Sequence, residues 1–173
     1  MARALDQAKI TGLTAQFPLA TEHSVARLEE VYQEHRHRVY SLAFWMTDNE
    51  AIAEEIASNV FRRSFANDPK PSAETIDRLL LAEIRELMPV GNLRLNAPVC
   101  TEVSSVRNNI KRVHLERAVV ELPPTERLVF LLHDVEAYDH DRIAQTLGIT
   151  TQESQFGLHQ ARLRVRELVA GMV

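Results

Sequence analysis

The stretch from Glu121 to Leu168 reads ELPPTERLVFLLHDVEAYDHDRIAQTLGITTQESQFGLHQARLRVREL, and its punctuation decides the fold. Proline has a fixed φ and no backbone N–H, so Pro123 and Pro124 only precede or open a helix. A first helix is therefore expected from about Pro124 to Val135, with Leu128, Leu131, Leu132 and Val135 recurring on its inner face. Asp139 is placed to cap a second, short helix, Asp139 to Leu147, that buries Ile143, Ala144 and Leu147. Gly148-Ile149-Thr150 makes the turn. Thr150 and Glu153 have the spacing of a capping box, so a third, long helix opens there with two of its orphan amides satisfied. A helix, a short helix, a turn and a long helix form the helix-turn-helix layout, whose last helix enters a DNA major groove.

On that reading the last helix carries the candidate DNA-contacting residues: Thr151, Gln152, Gln155, Phe156, His159, Gln160, Arg162, Arg164 and Arg166. Gln155 suits an adenine edge and Phe156 a thymine methyl. The three arginines lie toward the far end and suit phosphate. They would equally serve as an ordinary charged helix end that complements the dipole.

Composition bounds the rest. At 173 residues the chain is long enough for one domain or two small ones with a shared helical core. Strand-forming runs are scarce, Leu, Ala, Glu and Arg abound, and only five glycines occur, so the class is all-α. A formal charge of −4 argues against gripping nucleic acid by bulk charge, so any binding is local or borrowed from a partner. The single cysteine, Cys100, excludes an internal disulfide and a zinc framework, which fits a reducing cytoplasm. No apolar run approaches membrane-span length, and a signal-peptide core is missing.

Earlier in the chain, residues 1–20 read as an arm. From Val25 to Met46, Leu28, Val31, Tyr32, His35, Val39, Leu42, Ala43 and Met46 recur at helical spacing, with Thr21 or Ser24 as caps. A second helix, Glu50 to Phe65, buries Ile52, Ile56, Val60 and Phe61. A third starts at Ser72, with Glu74 behind it, and ends near Met88, before Pro89. Residues 89–106 hold two prolines and a glycine without helical period and read as a linker. Arg107 to Glu121 resumes a helix with Leu115, Ala118 and Val119 as its apolar stripe. The expected organisation is an arm (1–20), a three-helix domain (21–88), a linker (89–106) and a helix-turn-helix domain (107–173).

The segment LPPTERLVFLLHDVEAYDHDRIAQTLGIT resembles the promoter-reading C-terminal region of extracytoplasmic-function sigma factors. Leu122, Pro123, Arg127, Val129, Phe130, Leu131, Leu132, Asp134, Val135, Glu136, Ile143, Ala144, Leu147, Gly148 and Ile149 all stand at matching positions. The segment LEEVYQEHRHRVYSLAFWMTDNEAIAEEIASNVFRRSF resembles the region of the same factors that docks on the polymerase clamp and opens the downstream promoter element. The resemblance covers roughly residues 25–170. It implies an RNA polymerase sigma factor with a region 2-like and a region 4-like domain. Core RNA polymerase and promoter DNA are the implied partners, together with an anti-sigma factor, and Glu54, Glu55, Ser58, Asn59 and Arg62 the polymerase-facing residues.

The chain also departs from that pattern. Three positions where the family carries positive charge are Gln155, Gly157 and Gln160, and each lost phosphate contact weakens binding at every sequence. Glu83 and Glu86 stand where relatives have basic residues, and they would repel phosphate. These residues motivate an alternative: a sigma-shaped interaction protein that occupies an anti-sigma factor or the polymerase clamp as a decoy. A stand-alone regulator would need a dimer to read two half-sites.

Other chemistries find no support. The seven histidines never form a metal-binding spacing, and His35 and His37 point different ways on their helix. No nucleophile elbow or phosphate-binding glycine loop occurs, so neither catalysis nor a cofactor is expected.

Overall fold

The computed structural model describes residues 22–91 and 110–172. The expected arm, Thr21 and most of the linker with Cys100 lie outside the described residues, while Ser24 falls within the first helix. Every regular element among the described residues is helical. In chain order these are α1 (Glu22–Thr47), α2 (Glu50–Asn67), α3 (Ala73–Leu87), α4 (Arg112–Val120), α5 (Pro124–Phe130), a π-helical turn (Leu131–Val135), α6 (His140–Leu147) and α7 (Thr151–Met172). The chain forms two compact units. One joins α1 up to Ala43 with Glu50–Glu83, and the other joins Phe44–Asn49 with the chain from Ile84 onward.

In the first unit the apolar positions close a core from Val31, Val39, Leu42 and Ala43 of α1, Ile56, Val60, Phe61 and Phe65 of α2, and Ile76, Leu80 and Leu81 of α3. Phe61 anchors it, meeting Tyr32 edge-on at 4.9 Å and stacking on Phe65 at 5.9 Å. Ser72 opens α3 by accepting the Thr75 amide at 3.2 Å, the N-cap its residue type favours. Ion pairs and hydrogen bonds link the helices of the bundle: Arg38 binds Asp77, and Arg63 and Asn59 both donate to Glu83. Glu83 is 9% exposed. This corrects the expectation that it repels phosphate, because its charge is spent within the bundle.

In the second unit α4, α5 and α6 all pack on α7. Leu122, Leu128, Val129, Leu131, Leu132, Ile143, Leu147, Leu158, Ala161 and Val169 fill the space between them. The half-buried Arg127 guanidinium gathers the carbonyls of Val120 and Leu122, the latter at 2.9 Å, and so pins the α4–α5 turn.

Two apolar assignments are corrected here. Val135 is 58% exposed, because the π-turn inserts a residue: the Glu136 amide bonds to the Leu131 carbonyl at 3.0 Å, one position further back than in an α-helix. Buried Tyr138 follows it into the core instead. Leu115 is 44% exposed, so α4 packs through Ala118 and Val119 alone of its expected stripe.

Candidate nucleic-acid interface

The interface is assembled from local signals. Asp139 accepts the Arg142 amide at 2.7 Å and starts α6. Gly148 ends it at φ 70°, where the Gly148 and Ile149 amides both return to the Ala144 carbonyl, at 2.8 and 3.1 Å. Thr150 and Glu153 then close a reciprocal box: the Thr150 amide donates to Glu153 Oε2 at 2.7 Å, and the Glu153 amide to Thr150 Oγ1 at 3.1 Å. The Thr150 amide and hydroxyl, both donating to Oε2, hold the Glu153 carboxyl below its usual range. The result is a short helix, a left-handed glycine turn and a long capped helix.

The exposed residues of α7 are Gln152, Gln155, His159, Arg162, Arg166, Glu167 and Gly171, and the first five alternate at steps of three and four and so form one stripe. Phe156 flanks it, half-buried. Thr151 is half-buried and donates its hydroxyl to Asp141 at 2.8 Å. Two expected contacts leave the stripe. Gln160 is 3% exposed and faces the packed side, so its assignment to DNA is corrected. Arg164 also points inward, its Nε 2.9 Å from Glu126 Oε2. Burial pushes the Glu126 carboxyl up, and Arg164 opposes that shift. Gly157 is buried as well. Gly157, Gln160 and Glu83 therefore have packing roles, which leaves Glu86 and Gln155 as the exposed residues behind the decoy reading.

Behind the stripe lies a polar cluster that the sequence did not single out. Arg162 grips Asp134 on the π-turn through Nε at 3.1 Å and Nη2 at 2.6 Å. His133 Nδ1 lies 2.8 Å from the same carboxylate, and its ring stacks on His140 at 4.7 Å. His140 Nδ1 meets the buried Ser154 hydroxyl at 2.9 Å. Burial alone raises the Asp134 carboxyl, but the hydrogen bonds and charges of Arg162 and His133 outweigh it and hold it below its ordinary value. Burial, with the charges of His133 and Arg162, lowers His140 against the opposing pull of Asp139 and Asp141. The Arg142 guanidinium covers the Tyr138 ring at 3.6 Å and braces α6. The signals for this cluster were present as Asp134, in the family-like Asp134-Val135-Glu136 run, and as His140 beside the Asp139 cap.

In the first unit, α2 exposes Glu54, Glu55, Ser58 and Arg62. Asn59 is half-buried, accepting from Arg62 at 2.9 Å and donating to Glu83 at 3.1 Å. No His, Cys, Asp and Glu cluster suited to a metal occurs among the described residues. No helix among them is long and apolar enough to cross a membrane.

Fold and geometry define the second unit as one that carries a helix-turn-helix, with α7 as its last helix. Residues 112–165 match the family described as Sigma-70, region 4. The chain is also 24% identical over 157 residues to the ECF RNA polymerase sigma factor SigE of Mycolicibacterium smegmatis, covering 82% of this chain and 61% of that relative. The chain thus spans about three fifths of the relative's length. Both similarities point to the extracytoplasmic-function sigma factors.

Proposed function

We propose that the chain acts as an RNA polymerase sigma factor of the extracytoplasmic-function type, directing promoter recognition without enzymatic activity of its own. Residues 21–88 serve as the region 2-like domain, 89–106 as the linker and 107–173 as the region 4-like domain. The first domain docks on core RNA polymerase through Glu54, Glu55, Ser58, Asn59 and Arg62. The second lays the Gln152 to Arg166 stripe in the upstream promoter element. The observation that carries this reading is the coincidence of two things in one segment: the sigma-70 region 4 match, and a capped reader helix with a continuous polar stripe. Polymerase supplies most of the nonspecific grip, which is how a chain of net charge −4 works on DNA.

The proposed compartment is the cytoplasm. An anti-sigma factor is a further proposed partner, supported by exposed Val113 and Leu115 on α4 and Val135 on the π-turn. The full chain added to core RNA polymerase is expected to yield promoter-dependent transcripts. Failure across a broad panel of genomic promoters overturns the proposal.

A further inference from the structure

We propose that the reader helix selects A·T base pairs in the major groove, because at its N-terminal end the side chains that suit guanine are absent and the carboxylates that suit cytosine are engaged within the domain. The inference rests on the sigma-factor reading above and names the base class that its second domain takes.

A helix-turn-helix meets base edges with the N-terminal residues of its last helix. Here those are Gln152, Gln155, Phe156 and His159. Guanine is read best by the fork of an arginine or by a lysine on its O6 and N7. Neither residue type occurs between Thr151 and Ala161. The first arginine on the stripe, Arg162, has Nε and Nη2 on the two oxygens of Asp134. It also lies about 15 Å along the axis from Gln152, at a rise of about 1.5 Å per residue. Arg164 points away, toward Glu126.

Cytosine is read by a carboxylate accepting from its N4 amino group. The nearest carboxylates are Glu153 and Asp141. Glu153 is held by the Thr150 amide and hydroxyl, at 2.7 and 2.9 Å, and Asp141 by the Thr151 hydroxyl at 2.8 Å. What remains matches adenine and thymine. Each glutamine presents a donor and an acceptor in one plane, the complement of adenine N7 and N6, and the half-buried Phe156 ring offers an apolar surface to the thymine methyl. His159 can donate to a purine N7, which adenine and guanine share, so it does not discriminate.

The test is selection from duplexes randomised across the upstream element, bound by the full chain with core polymerase, and scored alongside transcription from the enriched templates. A·T pairs are expected at the positions facing Gln152 and Gln155. Gln155→Arg is expected to move one of them to G·C with a preference change of roughly ten-fold, the order that one bidentate base contact provides. Gln152→Arg gives an independent second position, and both side chains are exposed, so neither variant strains the fold. Transcripts from templates enriched in G·C at those positions, or an unchanged preference in both variants, overturn this inference and leave the sigma reading standing. No enrichment and no transcript from the unaltered complex overturn both.

Discussion

Arg162 holds Asp134 by two parallel bonds, Nη2 to Oδ1 at 2.6 Å and Nε to Oδ2 at 3.1 Å, and so ties the exposed stripe of the reader helix to the π-turn. Two-point arginine–carboxylate pairs combine geometric definition with charge. The arginine side chain is 49% exposed, however, which limits the pair to about 1 kcal/mol or less. A double-mutant cycle with Asp134→Ala and Arg162→Ala, followed by urea unfolding, is expected to return a coupling energy of that size that shrinks as salt is added. A coupling of zero at low salt would falsify a structural role for the pair.

His140, behind this pair, makes the second unit sensitive to acid. His140 is lowered from its ordinary value of 6.5, so below pH 6.5 the unfolded chain takes up a proton that the folded one resists. Stability tied to His140 is thus present above pH 6.5 and lost as pH falls toward the lowered folded value. Asp134 acts with the same sign in a lower window, starting below its ordinary 3.8. Glu126 opposes them, because its raised carboxyl favours the folded state once protonated. The urea midpoint is expected to fall as pH drops from 6.5. His140→Asn, which keeps a polar partner for Ser154, should flatten that first limb, and an unaltered pH profile in the variant would refute the assignment.

Gly148 turns the chain at φ 70°, and a Cβ there meets nothing within 4 Å. Replacement by alanine therefore adds backbone strain without a clash, at about 1 kcal/mol. Thr150→Ala removes the oxygen that accepts the Glu153 amide, again at about 1 kcal/mol. Both variants are expected to lower the thermal midpoint and leave the helical circular dichroism spectrum intact. An alanine at 148 without cost would mean that the turn does not hold its left-handed geometry in solution.

The features legible in the sequence are those set by near neighbours. The Asp139 cap, the Gly148 turn and the Thr150–Glu153 box each close within a few residues, so residue type and spacing suffice. The core positions Leu128, Leu131 and Leu132 were legible for the same reason, from their helical period. The features that escaped depend on tertiary packing. The extra residue in the Leu131–Val135 turn rotates the chain beyond it by about 100°, which sends Val135 outward and sets Asp134 opposite Arg162. No local signal in Leu131 to Val135 distinguishes that turn from regular helix. Glu83 looked like a surface charge because carboxylates usually are, and its partners Arg63 and Asn59 sit on another helix.

Gln160 illustrates the same limit and offers the sharpest check on the packed side of the reader helix. Three helices press on α7, so its buried arc is wide enough to enclose position 160 as well as Leu158, Ala161 and Leu163. The Gln160 Oε1 atom has no hydrogen-bond partner there, and a buried acceptor left unpaired costs about 1–3 kcal/mol. Gln160→Met keeps the length and removes that acceptor, so it is expected to raise stability by about 1 kcal/mol while leaving promoter binding unchanged. Gln160→Arg restores the charge of the family pattern yet buries a guanidinium without a partner, and it is expected to destabilise the domain more than any exposed substitution on the stripe. Unfolding midpoints of the two variants decide the matter, since an arginine at 160 that tightens DNA binding at no cost in stability places this side chain on the DNA side of the helix.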